Sequence, residues 1–289
     1  MKNFPQELVD QVIDGLFALT GRANCYGGYQ EWFESDWITH DADWPVSGIS
    51  DYSLVSKAWT GSAQKYHFGR IPLDSPTTLE KWRTHIAPDP AGVSRHVRML
   101  VLNRCNTSDL EGFKEHMHAF TRVEYLNIDD CGDLLRFPSI TQLFLLMGSC
   151  LTRLVVCKTQ ATARTFAFLL AALPLLQSVD TTDFKVPDDV DETSPPTPSR
   201  IPFFEGANRF VLQSNRLPDG YPEGSLDWIP TSARFSQLEV QTAYYLHNPG
   251  ILNRWLTSSC ATLTSLTIRK SEDGTSRPRP VAYQPTPLT

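Results

Sequence analysis

Seven short segments of the sequence share one pattern of apolar residues at near-regular spacing. The segments are 97–105, 123–131, 151–159, 176–184, 207–215, 235–243 and 263–271, and apolar side chains recur at their first, fourth and sixth positions. The fourth residues are Leu100, Leu126, Leu154, Val179, Phe210, Leu238 and Leu266, and subtraction gives steps of 26, 28, 25, 31, 28 and 28 residues. This self-similarity predicts a solenoid, in which each unit buries its apolar face only against its neighbours.

Stretches of helix-like sequence lie between the first four of these segments. Residues 110–120, 139–149 and 161–173 carry apolar side chains at helical spacing. A strand followed by a helix every 25–30 residues or so predicts an α/β fold, with a curved parallel sheet inside and helices outside. The acidic, proline-rich stretch 183–200 reads as an excursion from this array, and the proline-rich tail 272–289 is expected to be disordered.

Composition excludes several classes of protein. The chain has 289 residues, 41% of them hydrophobic, and can hold one large domain or two smaller ones. Its net charge of −6 argues against nucleic-acid binding, and no apolar run approaches the length of a membrane span. The N-terminus lacks the layout of a secretory signal, and the six cysteines form no C-x-x-C pair. A cytoplasmic or nuclear location is therefore expected.

The N-terminal quarter reads as a small helical unit, residues 1–75, ahead of a repeat unit at 76–271. A helix is expected over 4–17, because Pro5 suits its first position and Glu7 its first turn. A second helical stretch spans 54–66. Between them lies an insert at about 18–50, rich in tryptophan and acidic residues. Three interpretations of the insert remain open: a loop folded on its own domain, a partner-binding loop, or a segment that the functional protein lacks.

The N-terminal unit and the repeat unit each resemble part of one known protein family. The repeats resemble the leucine-rich pattern L-x-x-L-x-L-x-x-N/C, which 97–105 and 123–131 fill completely, although the fourth repeat places Thr181 at an apolar position. Residues 4–13 resemble the start of an F-box, Leu-Pro-x-Glu-Leu-x-x-x-Ile, and 54–59 with His67 and Phe68 resemble its second half. The chain is therefore similar to F-box proteins with leucine-rich repeats, a type numerous in fungi.

The resemblance implies a function in protein degradation. In that family the F-box binds a Skp-type adaptor, which connects to a cullin–RING ubiquitin ligase, while the repeats bind the protein to be ubiquitylated. It implies that the adaptor-binding or F-box core residues are Phe4, Pro5, Leu8, Val12, Ile13, Leu54, Val55, Lys57 and Trp59. The alternative is a repeat scaffold whose degenerate F-box recruits no ligase. The insert favours this alternative, because it separates the halves of the F-box.

The sequence offers little for catalysis, so we expect a protein that is not an enzyme and needs neither metal nor cofactor. His116 and His118 stand two apart in a helical stretch, where their side chains diverge. Cys105 and Cys131 occupy the N/C position of their repeats and are expected to be buried for structural reasons. The acidic run 188–192 lacks the glycine and ligand spacing of a calcium loop.

Protein recognition is instead expected on the sheet face opposite the apolar rows. Alternation along each strand predicts that the following side chains are exposed there: Met99, Val101, Asn103, Tyr125, Asn127, Asp129, Arg153, Val155, Arg209, Gln213, Gln237, Glu239, Gln241, Thr267 and Arg269. Within this set, the target-binding candidates are Tyr125, Asn127, Arg153, Arg209, Gln237 and Glu239. At the C-terminal end, few apolar residues follow the last repeat, which predicts a frayed repeat, a longer chain or a covering partner.

Overall fold

The computed structural model describes residues 5–19, 68–86, 92, 94–111, 119–147, 149–182, 200–206, 208–213, 229–230, 232–241 and 249–269. The chain forms two compact units, residues 1–70 and 71–289. The division predicted above, at 75/76 and 271/272, stays a prediction. Residues 20–50 of the insert, the stretch 183–199 and the tail 272–289 lie outside the described residues.

The described part of the first unit is dominated by one helix. Helix α1 spans Gln6–Leu19, and the carbonyl oxygen of Pro5 accepts hydrogen bonds from the backbone N–H groups of Leu8 and Val9 at 3.1 and 3.2 Å. Glu7 lies in the first turn, where its charge complements the helix dipole. The helix predicted over 4–17 is confirmed, but it begins at Gln6, so Pro5 precedes its first position rather than occupying it.

Eight strands form one sheet in sequence order. They are β1 (Arg70–Leu73), β2 (Met99–Asn103), β3 (Tyr125–Gly132), β4 (Arg153–Thr159), β5 (Ser178–Thr182), β6 (Asn208–Gln213), β7 (Phe235–Gln241) and β8 (Ser265–Arg269). The sheet is entirely parallel and open. Because each strand adds at the same edge and crossovers share one hand, the connecting segments lie on one face. The predicted α/β class is confirmed, and the topology is compatible with the predicted solenoid.

The register of the sheet aligns the predicted repeats with one another. Leu100 pairs with Leu126, Leu126 with Leu154, and so on through Val179, Phe210, Leu238 and Leu266. The residues two positions later form a second row: Leu102, Ile128, Val156, Thr181, Leu212, Val240 and Ile268. We call these the two core rows. A shift of one residue would turn an apolar row to the other face, so burial fixes the register.

Helices pack on the core rows. Their bounds are α2 (Pro76–Ile86), α3 (Pro138–Met147), α4 (Ala163–Ala171), the single turn α5 (Pro202–Glu205) and α6 (Pro249–Ser259), with 3-10 turns at Ser94–His96 and Leu134–Arg136 and helical residues at 107–111. Phe144 of α3, Phe166 of α4 and Trp255 of α6 belong to the same buried cluster as the core rows. The helices predicted at 139–149 and 161–173 are confirmed by α3 and α4.

Strand β1 was not predicted. The sequence interpretation placed residues 68–73 at the close of the N-terminal helical unit, whereas Arg70–Leu73 form the first strand of the sheet. The strand lacks the repeat pattern and contains Pro72, which cannot donate to a ladder and is confined to sheet edges. Ile71 and Leu73 are nonetheless buried in the common core.

A recurrent turn ends the strands of the first three repeats. Arg104, Asp130 and Lys158 precede Cys105, Cys131 and Thr159, and their φ angles are 54°, 52° and 47°. These residues have a left-handed backbone, which costs about 1–2 kcal/mol for a residue other than glycine. The turn directs the next side chain, at the N/C position of the repeat, into the interior, where it can form a hydrogen bond with the backbone. The Cys105 thiol, for example, donates a hydrogen bond to the Leu73 carbonyl at 2.9 Å.

The sixth and seventh strands are joined by an aromatic cluster. Phe210 replaces the usual leucine of its core row and contacts Phe203 and Phe204 of α5 edge-on, with ring centroids 6.4 and 6.1 Å away. Phe235 stacks on Phe210 and meets Trp255 of α6 edge-on at 6.0 Å. Trp255 is buried and packs α6 against the sheet.

Candidate protein-recognition surface

Helix α1 carries an exposed apolar stripe. Leu8 and Val12 are 43% and 40% exposed, and Pro5, one helical turn before Leu8, is exposed as well. Val9, the adjacent residue in sequence, is fully buried. The helix therefore has one apolar side that packs in the chain and a second that faces solvent, which we call the α1 stripe (Pro5, Leu8 and Val12). Exposed apolar side chains at this spacing are typical of a helix that docks on a partner.

The side chains of the other predicted adaptor-binding residues lie outside the part of the chain that the structure describes. Ile13 lies in α1, but its side chain is outside the described part. Phe4, Leu54, Val55, Lys57 and Trp59 lie outside the described residues altogether. The structure therefore brings together three of the nine candidates, and the second half of the F-box pattern stays a prediction.

The sheet face opposite the core rows, here called the second face, carries the target-binding candidates. Two of its rows run across the sheet in register. The first is Met99, Tyr125, Arg153, Ser178, Arg209, Gln237 and Ser265; the second is Val101, Asn127, Val155, Asp180, Val211, Glu239 and Thr267. The alternation predicted from the sequence is confirmed, since none of these residues belongs to the main apolar cluster.

The predicted exposure of the second face is wrong for six residues of β2–β4, although Asn103 and Asp129 in the same strands are partly exposed. Six of its residues are buried rather than exposed: Met99, Val101, Tyr125, Asn127, Arg153 and Val155. Period-two alternation assigns a side chain to a face but does not reveal what lies over that face. Long side chains here lie along the sheet: the Arg153 guanidinium sits 5.7 Å from the centroid of the Tyr125 ring, in a cation–π contact. Tyr125, Asn127 and Arg153 are therefore unavailable to a target in this conformation.

Charged side chains of alternating sign occupy the middle of the second face. Asp180 is buried in β5, diagonal to Arg153 of β4 and Arg209 of β6. Burial raises the pKa of the Asp180 carboxyl, whereas the charges of Arg209 and Arg153 work in the opposite direction. Arg209 also donates a hydrogen bond to the Ser178 hydroxyl at 3.4 Å. Charges removed from water in this way are stable only when opposite charges lie close to them.

Sequence reasoning missed Asp180. It stands at the same repeat position as Asn127 and Glu239, so the alternation that selected those two also selects Asp180. The signal was weak there because the fourth repeat departs from the consensus at Thr181, the next residue along the strand. On β3, two strands from Asp180, the side-chain oxygen Oδ1 of Asn127 is buried and accepts no hydrogen bond within the described part of the chain.

The accessible part of the second face is its C-terminal half. Arg209, Gln237 and Glu239 are each partly exposed, and Thr267 of β8 continues the same pair of rows. These side chains combine one cation, one anion and two hydrogen-bonding groups within three adjacent strands. Of the six target-binding candidates, the structure thus keeps three at the surface, all on β6 and β7.

The cysteines of the repeat turns are structural. Cys105 and Cys131 are buried, as predicted, and the Cys131 thiol donates to the Leu102 carbonyl at 3.6 Å. The hydrogen bond between the two side chains lowers the pKa of Cys105, and the same contact together with burial raises the pKa of Cys131. In β4, burial raises the pKa of Cys157 to about 12. A thiol that is buried and protonated is a poor nucleophile.

Within the described ranges, His, Cys, Asp and Glu side chains form no group of three that could hold a metal ion. His116 and His118 lie outside those ranges. In the same part of the chain, no helix has both the length and the apolar character of a membrane span. No family model matches this chain, and no curated protein matches it.

Proposed function

We propose that the chain is the substrate-recognition subunit of a Skp–cullin–F-box type ubiquitin ligase. In this proposal the N-terminal unit docks on the Skp-type adaptor, and the repeats hold the protein to be ubiquitylated. The α1 stripe is the observation that carries it. Three of the residues that match the F-box pattern are exposed on one side of a single helix, although two of them are large and apolar.

Exposure of the α1 stripe to water has an energetic cost that a partner can relieve. Fully burying an aliphatic side chain of this size is worth about 1.5–3 kcal/mol. Leu8 and Val12 are already more than half covered, so each contributes less than half of that amount when a partner covers the rest. Apolar residues that stand singly on a surface need no explanation. Two at i and i+4, preceded by an exposed proline at the start of the same helix, form a surface that an adaptor can cover.

The repeat unit supports the second half of the proposal. A parallel sheet with helices on one face leaves the other face for recognition, as repeat proteins commonly do. Arg209, Gln237 and Glu239 offer both signs of charge and an amide, which suits a polar protein surface. We place target contact on β6–β8 rather than across the whole sheet.

Binding to a purified Skp-type adaptor tests the proposal. The wild-type chain is expected to bind, and Leu8→Asp with Val12→Asp is expected to weaken binding at least about tenfold, because each change places a carboxylate in an apolar contact. Gln11→Asp is the matched control, since Gln11 is an exposed residue of α1 outside the stripe. The proposal fails if the wild type does not bind, or if the double variant and the control bind equally.

Deletion of residues 21–48 separates the proposal from its alternative. If the wild type does not bind the adaptor but the deletion variant does, the insert obstructs an otherwise competent F-box. If neither binds, the chain is better described as a repeat scaffold without a ligase. A circular dichroism spectrum and a thermal unfolding curve of each variant would exclude misfolding as the cause of lost binding.

A further inference from the structure

Within the described part of the chain, the sheet ends at β8 with its core rows partly uncovered. Ile268 is 40% exposed, whereas Leu102, Ile128 and Val240 in the same row are fully buried. Four partly buried leucines lie in the same last coil: Leu252 and Leu256 of α6, Leu263 in the turn that follows, and Leu266 of β8. Together with Ile268 we call them the apolar end residues. Among the residues that the structure describes, no further unit covers this end of the array, and an exposed apolar end favours association.

The two edges of the sheet differ. Strand β1 contains Pro72, and its apolar residues Ile71 and Leu73 are buried. Proline and burial are devices that prevent an edge strand from pairing with another chain. Strand β8 has neither: its sequence Ser-Leu-Thr-Ile-Arg contains no proline or glycine and only one charge, at Arg269.

The register shows which backbone groups of β8 point to the open edge. In β3, β4, β5 and β6, the first-row residue donates its N–H to the preceding strand at 3.0, 3.0, 3.1 and 2.9 Å. Ser265 occupies this row in β8. Successive residues of a strand point their N–H and C=O groups to opposite sides, so Ser265 and Thr267 face β7. The N–H and C=O groups of Leu266 and Ile268 therefore face outward.

We propose that this end of the array is a symmetric dimer interface, in which β8 pairs antiparallel with β8 of a second copy about a two-fold axis at Thr267. The pattern of the strand is self-complementary about that residue: Leu266 meets Ile268 of the second copy, and Ser265 meets Arg269. The outward N–H and C=O groups of Leu266 in each copy then exchange hydrogen bonds with those of Ile268 in the other copy, which gives two hydrogen-bonded pairs. Between them, Thr267 of one copy lies opposite Thr267 of the other in a non-hydrogen-bonded pair.

The pairing brings together the partly exposed apolar residues of β8. Leu266 and Ile268 share a face, so in the dimer each apolar pair extends the core rows of the other copy. In this register Arg269 pairs with Ser265 rather than with a second Arg269. Isologous contact is also the commonest route to a closed homo-oligomer.

Sedimentation velocity of the 289-residue chain, over a concentration series, tests the oligomeric state. We expect a monomer–dimer equilibrium in the wild type, weakened at least about tenfold by Ile268→Lys. Leu175→Lys is the matched control, because Leu175 is 51% exposed in the turn after α4, remote in sequence from β8. A wild type that stays monomeric overturns the proposal, as does a dimer that both lysine variants leave intact.

A disulfide trap tests the register independently of any loss of stability. With Thr267→Cys and glutathione disulfide as oxidant, a covalent dimer should form through the cysteine introduced at 267, as mapped by peptide mass spectrometry. Two copies of Ser265 would lie four residues apart along the paired strands, about 13 Å, which is beyond the reach of a disulfide. Ser265→Cys should therefore give no cross-link at 265. Equal cross-linking of both variants would overturn the antiparallel register, and the outcome is independent of adaptor binding.

Discussion

Phe210 stacks on Phe235 across two adjacent strands, with 5.6 Å between the ring centroids and 20° between the ring planes. Phe210 stands in the row that leucine occupies in most repeats, so Phe210→Leu would make its repeat conform to the pattern. We nevertheless expect the variant to lose about 1–2 kcal/mol of unfolding free energy, because aromatic contacts and ring volume are lost together. Urea denaturation measures this. Leu238→Met, in the same row, is a volume-conserving control that should cost less. Unchanged stability of Phe210→Leu would mean that the aromatic cluster is not a specific packing unit.

The left-handed turn residues provide a test of backbone strain. Lys158 is exposed and has a φ of 47°, a conformation that glycine adopts without a steric cost. Lys158→Gly should raise the unfolding free energy by up to about 1 kcal/mol, and Lys158→Val should lower it by a similar amount. Chemical denaturation of the three proteins at one pH gives the order. Arg164→Gly is the control: Arg164 is an exposed residue of α4, and the change should destabilise, because glycine is unfavourable within a helix.

The buried carboxyl of Asp180 predicts a pH dependence. Because its pKa is raised in the folded state, the folded chain binds a proton more readily than the unfolded chain between the unfolded pKa, about 3.9, and the higher folded pKa. On acidification from neutral pH through this window, the wild type should gain stability relative to Asp180→Asn. Urea denaturation of both proteins at several pH values measures the difference. The opposite slope would mean that Arg153 and Arg209 outweigh burial and hold the carboxyl ionised.

Thiol reactivity should follow burial. Cys157 is buried with a pKa of about 12, so only about one thiol in ten thousand is ionised at pH 8. Cys260 is exposed. Iodoacetamide labelling of the native protein, read by peptide mass spectrometry, should modify Cys260 rapidly and Cys157 only after unfolding. Labelling of both at similar rates in the folded protein would contradict the placement of β4 within the sheet.

The repeat register was predictable from the sequence because apolar rows must align if each coil is to bury its face. Thr181 shows the limit of that argument. It is a polar residue in a core row, yet it is fully buried and its hydroxyl donates to the Val211 carbonyl at 3.1 Å. A threonine that satisfies its own hydroxyl can replace an aliphatic residue, so a departure from the pattern need not interrupt the sheet.

Other features could not be predicted from the pattern. Strand β1 has no repeat motif, and it joins the sheet because Ile71 and Leu73 complete the end of the core. The burial of Tyr125, Asn127 and Arg153 depends on what lies over the second face, which alternation does not specify. The second half of the F-box pattern falls outside the described residues, so its assembly with α1 stays a prediction.

The strand order has a consequence for how such a chain can vary in length. Each coil between β2 and β8 pairs only with the coil before it and the coil after it. Duplicating about 28 residues, the commonest repeat length here, would therefore insert one more repeat without changing the pairing partners of any distant strand. Smaller gains or losses must fall in the connections between strands, where steps of 25 and 31 residues already occur without disturbing the alignment of the core rows.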